Sequence, residues 1–451
     1  MNTARGRVIA ATFFHAPSLG TIEILEAALV TVDERGTISS VERRDSPAYQ
    51  RLHAEAAAAG TLETVPSGSY VLPGFVDLHI HAPQYPQLGK ALDCPLDEWL
   101  ERYTFPLEAR YADLEFARRA YHALVADLAA NGTTTAVMYG TIHEAANRVL
   151  VDACLEAGLR AFIGKVAMDN PETCPESYRD ASSEAALAGT QALIDYLKRH
   201  NGDGLVRPVV TPRFIPSCTD ATLQGLAAIG RAEGCHFQTH CSESDWQHRY
   251  ALERYGRSDA QSLDRIGLMS ERTILAHAPL LSPPDMDLVM GRGSAIAHCP
   301  LSNVYFSNAV FPLRSALAKG LRVGLGTDIS GGPSASVFDA LRMCIASSRL
   351  LEEGVDPDLP PQRRGRRDSR IDWRTAFFIA TAGGADALGL RTGRFIPGNE
   401  FDAMVVDTQA HEGSIRIFDE IDTTEDVLAK ILYGASRSNI AAVYVAGRAI
   451  A

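Results

Sequence analysis

Two histidines two residues apart, His79 and His81, are the first residues in this chain whose types and spacing could do chemistry. Side chains alternate along an extended strand, so residues at i and i+2 share a face, and two neutral imidazoles on one face suit a divalent ion such as zinc. Packing alone also produces such pairs, so the pair needs company. Three further segments supply it: Thr239-His240-Cys241-Ser242-Glu243, Ala276-His277-Ala278 and Gly326-Thr327-Asp328. Each ends an apolar, β-branched run. Four histidines and an aspartate at equivalent ends of four such runs are not explained by packing, and they are expected to gather at one metal. A metal-bound water at neutral pH makes hydrolysis the expected chemistry. His298, which precedes Cys299-Pro300, has no acidic neighbour in sequence and reads as structural or as a support behind the site.

The elements that must position these residues are legible as runs. Eight occur, at residues 74–81, 133–139, 160–167, 206–214, 236–243, 273–278, 295–299 and 322–328. Stretches of helical texture separate them, as at 114–130, 222–233 and 310–319. Eightfold alternation predicts an α/β fold, a (β/α)8 TIM barrel, whose active site forms at the C-terminal ends of the strands. Continuously apolar strands fit a parallel sheet covered on both faces. Short β-rich pieces lie outside the barrel, at 7–14, 27–32, 38–41 and 70–72 before it and at 401–406 and 441–446 after it. They are expected to pair into a small β-sandwich formed by the N- and C-terminal segments, giving an accessory domain of residues 1–70 and 386–451 around a barrel of residues 71–385. Residues 54–59 read as a helical turn, and the Arg-rich segment 354–371 reads as a solvated loop rather than an anion or partner site.

The formal net charge of -12 argues against a nucleic-acid partner and for a small-molecule substrate. No signal peptide and no membrane-crossing run are expected. The eight cysteines are scattered without a Cys-x-x-Cys, which suits a reduced, cytoplasmic protein. It also excludes the zinc deaminases built on His-x-Glu with Pro-Cys-x-x-Cys.

His79, His81, His240 and Asp328 make four protein ligands and leave a position for water. Binuclear barrels of this kind add a bridging lysine at the end of the fourth strand, where this chain reads Thr211-Pro212-Arg213-Phe214. Lys165 lies on the third run and reads as structural. One ion per subunit is expected, Zn2+ first, with Fe2+ or manganese able to occupy a similar donor set.

The segment Pro73-Gly74-Phe75-Val76-Asp77-Leu78-His79-Ile80-His81, with His240, His277 and Asp328, resembles the amidohydrolase superfamily over essentially the whole chain. Within it the chain is most similar to the guanine deaminases. His81-Ala82-Pro83-Gln84-Tyr85, Trp99-Leu100, Tyr103-Thr104-Phe105-Pro106, Thr211-Pro212-Arg213-Phe214, His240-Cys241-Ser242-Glu243 and Leu301-Ser302-Asn303 carry the similarity. Ala278, where the family usually has glycine, and Ile329-Ser330-Gly331-Gly332-Pro333 depart from the pattern.

The resemblance implies hydrolytic deamination of guanine to xanthine, with release of ammonia, by a homodimer acting on a purine base. It implies that Asp328 takes a proton from the metal-activated water and passes it to the leaving amine. Glu243 would protonate a ring nitrogen, and His277 would orient the water and stabilise the oxyanion. Substrate contacts are expected from His81, Ala82, Pro83, Gln84, Trp99, Arg213, Phe214 and Glu243. Among these, Gln84 and Arg213 would read the carbonyl oxygen and a ring acceptor, Phe214 would stack on the purine, and Trp99 with Phe105 would form a pocket wall. The alternatives are an aminohydrolase of the same superfamily acting on 8-oxoguanine, a pterin, cytosine or a triazine, and a non-catalytic scaffold of the same fold.

Overall fold

A computed structural model of the protein describes residues 3–306 and 309–451. Eight parallel strands follow one another around a barrel: β1 (Phe75–His81), β2 (Thr133–Tyr139), β3 (Arg160–Gly164), β4 (Val206–Pro212), β5 (His236–Cys241), β6 (Thr273–His277), β7 (Ala295–His298) and β8 (Arg322–Leu325). Each pairs with the next in parallel register, for example His81 with Tyr139, Cys241 with His277 and His298 with Leu325. Every residue of β1 is buried, as a strand covered on both faces requires. Helices lie between the strands. That at Leu114–Ala130 starts where the Asp113 side chain accepts from the amides of Glu115 and Phe116, and it buries Ala117, Tyr121, Leu124 and Leu128 on one face.

The expected runs overshoot the strands at their C-terminal ends. The run at 322–328 stops as a strand at Leu325, and that at 236–243 stops at Cys241. Beyond those points Ser242 (φ 47°) and Asp328 (φ 52°) take left-handed backbone, and so does His277 (φ 67°) at the last position of β6, turning the chain across the barrel mouth. The third run breaks at Lys165. Its ammonium reaches Asp180 at 2.6 Å and the Val166 carbonyl at 3.0 Å, and the pairing resumes at Val166–Ala167.

The barrel closes where β1 meets the segment after β8. The Asp328 amide donates to the His79 carbonyl at 2.9 Å, and the His81 amide donates to the Ile329 carbonyl at 2.7 Å. Asp77 lies beneath this seam, accepting from the amides of Thr327 (3.0 Å) and His79 (3.2 Å) and from the Thr327 hydroxyl. Gly326 permits the approach, because a Cβ there would lie 2.9 Å from both the Cys299 sulfur and the His79 Cβ.

The terminal segments form one eight-stranded sheet in the order Arg448–Ala449, Ile440–Val445, Ala403–Asp407, Ser69–Pro73, Arg7–His15, Glu23–Val32, Ile38–Glu42, with Leu62–Thr64 beside Arg7–His15. Antiparallel pairing of Val405 with Val71 joins the two ends of the chain. Folded around Ile9, Phe13, Val30, Phe401 and Tyr444, this sheet is the small β-sandwich. Residues 54–58 belong to a full helix, Tyr49–Ala58, which Ala59 caps, rather than to a single turn. Tyr49, Leu52 and Ala56, spaced at helical intervals, pack it on Val8 and Leu29. Arg160, at the start of β3, ties barrel to sandwich by pairing with buried Asp402 and with Glu400. The segment 354–371 holds one exposed turn, Pro361–Arg364, and folds back onto Glu352, which accepts from the Ser369 and Arg370 amides.

Candidate active site

The strand ends deliver their histidines to one point. His79 and His81 rise from the same face of β1, His240 from β5 and His277 from the end of β6. Imidazole nitrogens of His79, His81 and His240 lie within 4.8 Å of one another. His81 Nε2 is 3.0 Å from His240 Nε2, and Asp328 Oδ1 is 3.1 Å from His79 Nε2 and 3.6 Å from His81 Nε2. Burial lowers the pKa of all three imidazoles well below the ordinary range, so they are neutral.

His240 Nδ1 donates to the Arg213 main-chain carbonyl at 2.6 Å, which leaves Nε2 as a lone pair aimed at its neighbours. His79 Nε2 is buried with no hydrogen-bond partner among the described residues. Converging neutral lone pairs, an orphaned ring nitrogen and an adjacent carboxylate make a donor set that fits a divalent cation. His277 has its Nδ1 on Asn303 Oδ1 at 3.0 Å, and its Nε2 faces Glu243 Oε1 and Asp328 Oδ2, each at 3.8 Å. Glu243 is buried; desolvation, aided by the charge of Asp328, pushes its carboxyl up to about 8, against a smaller opposing pull from Arg213.

These groups open into a cavity of about 690 Å³ lined by His81, Gln84, Trp99, Phe105, Arg213, Phe214, His240, Glu243 and Asp328, among others. The expected substrate contacts therefore divide. Gln84, Trp99, Arg213, Phe214 and Glu243 face the cavity beside His81. Ala82 and Pro83 are buried in the turn Ala82–Gln87 and do not line it. Phe214 stands with its ring 6.1 Å from His240 and 5.8 Å from Trp246. Trp99 packs on Phe306 across the mouth at 5.2 Å. His298 is buried against Phe311, away from the cavity lining.

Glu108 escaped sequence reading. It lies on the helix Phe105–Ala109, fully buried, and holds Arg213 through both terminal guanidinium nitrogens at 2.7 and 3.1 Å. It also accepts from Gln84 Nε2 at 2.8 Å and lies in hydrogen-bond reach of the Tyr178 hydroxyl. Burial alone would lower the pKa of Arg213, but the charge and hydrogen bonds of Glu108 outweigh it, and the net shift is upward. No strand end marks Glu108. The only sequence signal was its position two residues beyond Tyr103-Thr104-Phe105-Pro106.

Residues 70–450 match the amidohydrolase family model, which spans the seam, the four histidines and Asp328. The chain belongs to the amidohydrolase family. Among curated members it is 35% identical to a probable guanine deaminase of Schizosaccharomyces pombe, over 98% of this chain and 83% of that protein. It is 33% identical to the guanine deaminase of Homo sapiens, over 97% of this chain and 95% of that one. The crystal structure of guanine deaminase from C. acetobutylicum with bound guanine in the active site superposes with a TM-score of 0.87 at 27% identity, covering 98% and 99% of the two chains. Membership of the amidohydrolase family, together with the donor set, supports a divalent metal at the barrel mouth.

Proposed function

We propose that this protein hydrolyses guanine to xanthine and ammonia. The observation that carries the reading is the pairing, in one cavity, of the imidazole–carboxylate cluster with Gln84 and Arg213, two donors suited to the carbonyl and ring nitrogen of a purine base. Full-length relatedness to guanine deaminases supports it.

His79, His81, His240 and Asp328 would hold the ion. Zinc, one per subunit, is the proposed metal because three neutral nitrogens and a carboxylate oxygen suit it; Fe2+ accepts the same donors. A divalent ion bound there supplies hydroxide at neutral pH by acidifying a water. With Nδ1–H given to Asn303, His277 presents a lone pair at Nε2 that accepts from the attacking water, orients it, and then holds the hydroxyl on the tetrahedral carbon. Asp328 accepts a proton from that water. Glu243, kept protonated by burial, gives its proton to the ring nitrogen next to the reacting carbon, so the ring accepts electrons as the carbon becomes tetrahedral. Asp328 then delivers its proton to the amino group. The carbon–nitrogen bond breaks, ammonia leaves, and Glu243 recovers a proton from the new hydroxyl as the carbonyl forms. Gln84 and Arg213 hold the base by its acceptors, with Phe214 against its face and Trp99 closing the wall.

The protein is proposed to work as a homodimer in the cytoplasm. The eight cysteines are all free thiols, which suits a reducing compartment, and no helix among the described residues is long and apolar enough to cross a membrane. Ammonia release from guanine, compared with 8-oxoguanine, a pterin, cytosine and a triazine, tests the substrate. Brisk turnover of another base beside negligible turnover of guanine overturns the reading.

A further inference from the structure

Glu108 performs no step above, yet it contacts both residues that read the base. We propose that Glu108 is a positioning residue that fixes which atoms Gln84 and Arg213 present, and so makes the site select a ring carbonyl over a ring amino group. The inference rests on the guanine-hydrolysis reading.

A carboxamide can turn over about its terminal bond and exchange donor for acceptor. Gln84 has both ends assigned. Its Oε1 accepts from the Ser330 amide at 3.2 Å, and its Nε2 donates to Glu108 Oε1 at 2.8 Å. Turning it would set NH2 against an N–H and a carbonyl against a carboxylate. The donor left over for the cavity is the second N–H of Nε2.

Arg213 has donors only, and Glu108 holds two of its nitrogens edge-on. Phe105, from the same helix, lies under the guanidinium with Cζ 5.1 Å from the ring centre. The helix thus grips Arg213 by edge and by face. The result is a donor-rich wall whose positive charge is balanced by a fully buried carboxylate. A neutral base offering acceptors fits it; an amino group at the same ring position meets N–H with N–H, an arrangement a hydrogen-bonding site penalises heavily.

The variant Glu108→Gln tests this. Its amide has one acceptor where the carboxylate has two: with the oxygen at the Oε1 place it still accepts from Gln84 and one Arg213 nitrogen, but its NH2 then opposes the other guanidinium nitrogen and releases Arg213 from its fixed setting. Rates are measured on guanine and on 2,6-diaminopurine, which keeps the departing amino group and replaces the carbonyl with an amine. The expected result is a ~10–100-fold fall in kcat/KM for guanine, mostly in KM, and a change of under about 3-fold for 2,6-diaminopurine. Equal losses on both substrates, or a loss confined to kcat, overturn the proposal.

If Glu108→Gln does not fold, Glu108→Asp, which withdraws the carboxylate by one methylene, carries the same comparison. A preference narrowed by about 5-fold supports the proposal and an unchanged preference overturns it. If the wild-type protein does not turn over guanine, the functional reading fails separately. Selection of carbonyl over amine is then read from binding of hypoxanthine against adenine, by the same criterion.

Discussion

The main-chain carbonyl of Arg213 lies 2.6 Å from Nδ1 of His240 and fixes the tautomer of that imidazole. The same residue sends its guanidinium to the buried carboxylate of Glu108, at 2.7 Å. One position at the end of β4 therefore orients a histidine of the donor cluster through its backbone and lines the cavity with its side chain. Substitution separates the two roles, because a side-chain change leaves the carbonyl in place.

Arg213→Ala is expected to retain metal while kcat/KM for guanine falls by about 100-fold, chiefly through KM. It also strands the Glu108 carboxylate in a buried cavity, which costs roughly 3 kcal/mol of stability. Metal analysis, steady-state kinetics and thermal melts measure the three effects. An unchanged kcat/KM places Arg213 outside the binding site.

Glu243→Gln is expected to bind metal normally and to lose about 100- to 10,000-fold in kcat, the usual contribution of a positioned acid–base group. In the wild-type protein the carboxyl is raised to about 8, first by desolvation and then by Asp328. Its protonated form is the working acid, so kcat holds below that pH and falls as pH rises through it. The positive charge of a bound cation draws this limb toward lower pH. A basic limb that survives unchanged in Glu243→Gln belongs to another group.

Removal of the ion by a chelator is expected to abolish turnover, and re-addition of a divalent metal to restore it. Because the donors converge only in the folded barrel, an ion at 100 times its dissociation constant raises stability by about 2.7 kcal/mol. A melting temperature indifferent to the metal contradicts the site described here.

Arg160→Ala is expected to loosen barrel from sandwich. Asp402 is fully buried, accepts from Arg160 and also from the Ala446 amide at 2.7 Å, and loses its charge partner in the variant. A destabilisation of about 3–5 kcal/mol follows from an unpaired buried charge. Denaturant titration reads it, and a loss under about 1 kcal/mol shows that Glu400 and Asp402 are hydrated instead.

The barrel was legible because parallel strands covered on both faces must be apolar throughout, and the stretch leading to His79 and His81 is such a strand. The convergence of His79, His81, His240, His277 and Asp328 was legible because residues at the C-terminal strand ends must meet at the mouth. Strand ends were overrun at Glu243 and Asp328, since left-handed backbone at Ser242 and Asp328 leaves no mark on hydrophobic pattern. Glu108 was hidden because a short helix over a barrel mouth has no periodicity long enough to orient its residues. Ala82 and Pro83 were expected in the pocket from the family resemblance; the tight turn buries both and brings Gln84 to the cavity.

The seam between β1 and the segment after β8 sets an order of events during synthesis. Asp77 and Thr327, joined across it, are 250 residues apart in sequence. His79 lies on one bank and Asp328 on the other, linked by the Asp328 amide and the His79 carbonyl. A chain still emerging from the ribosome can display the first two histidines, but it cannot complete the donor set until its eighth strand has been made and docked against the first. Contacts of this sequence span form late. Acquisition of the ion thus becomes a report that the ring has closed, and truncated or misthreaded chains are denied the reactive centre.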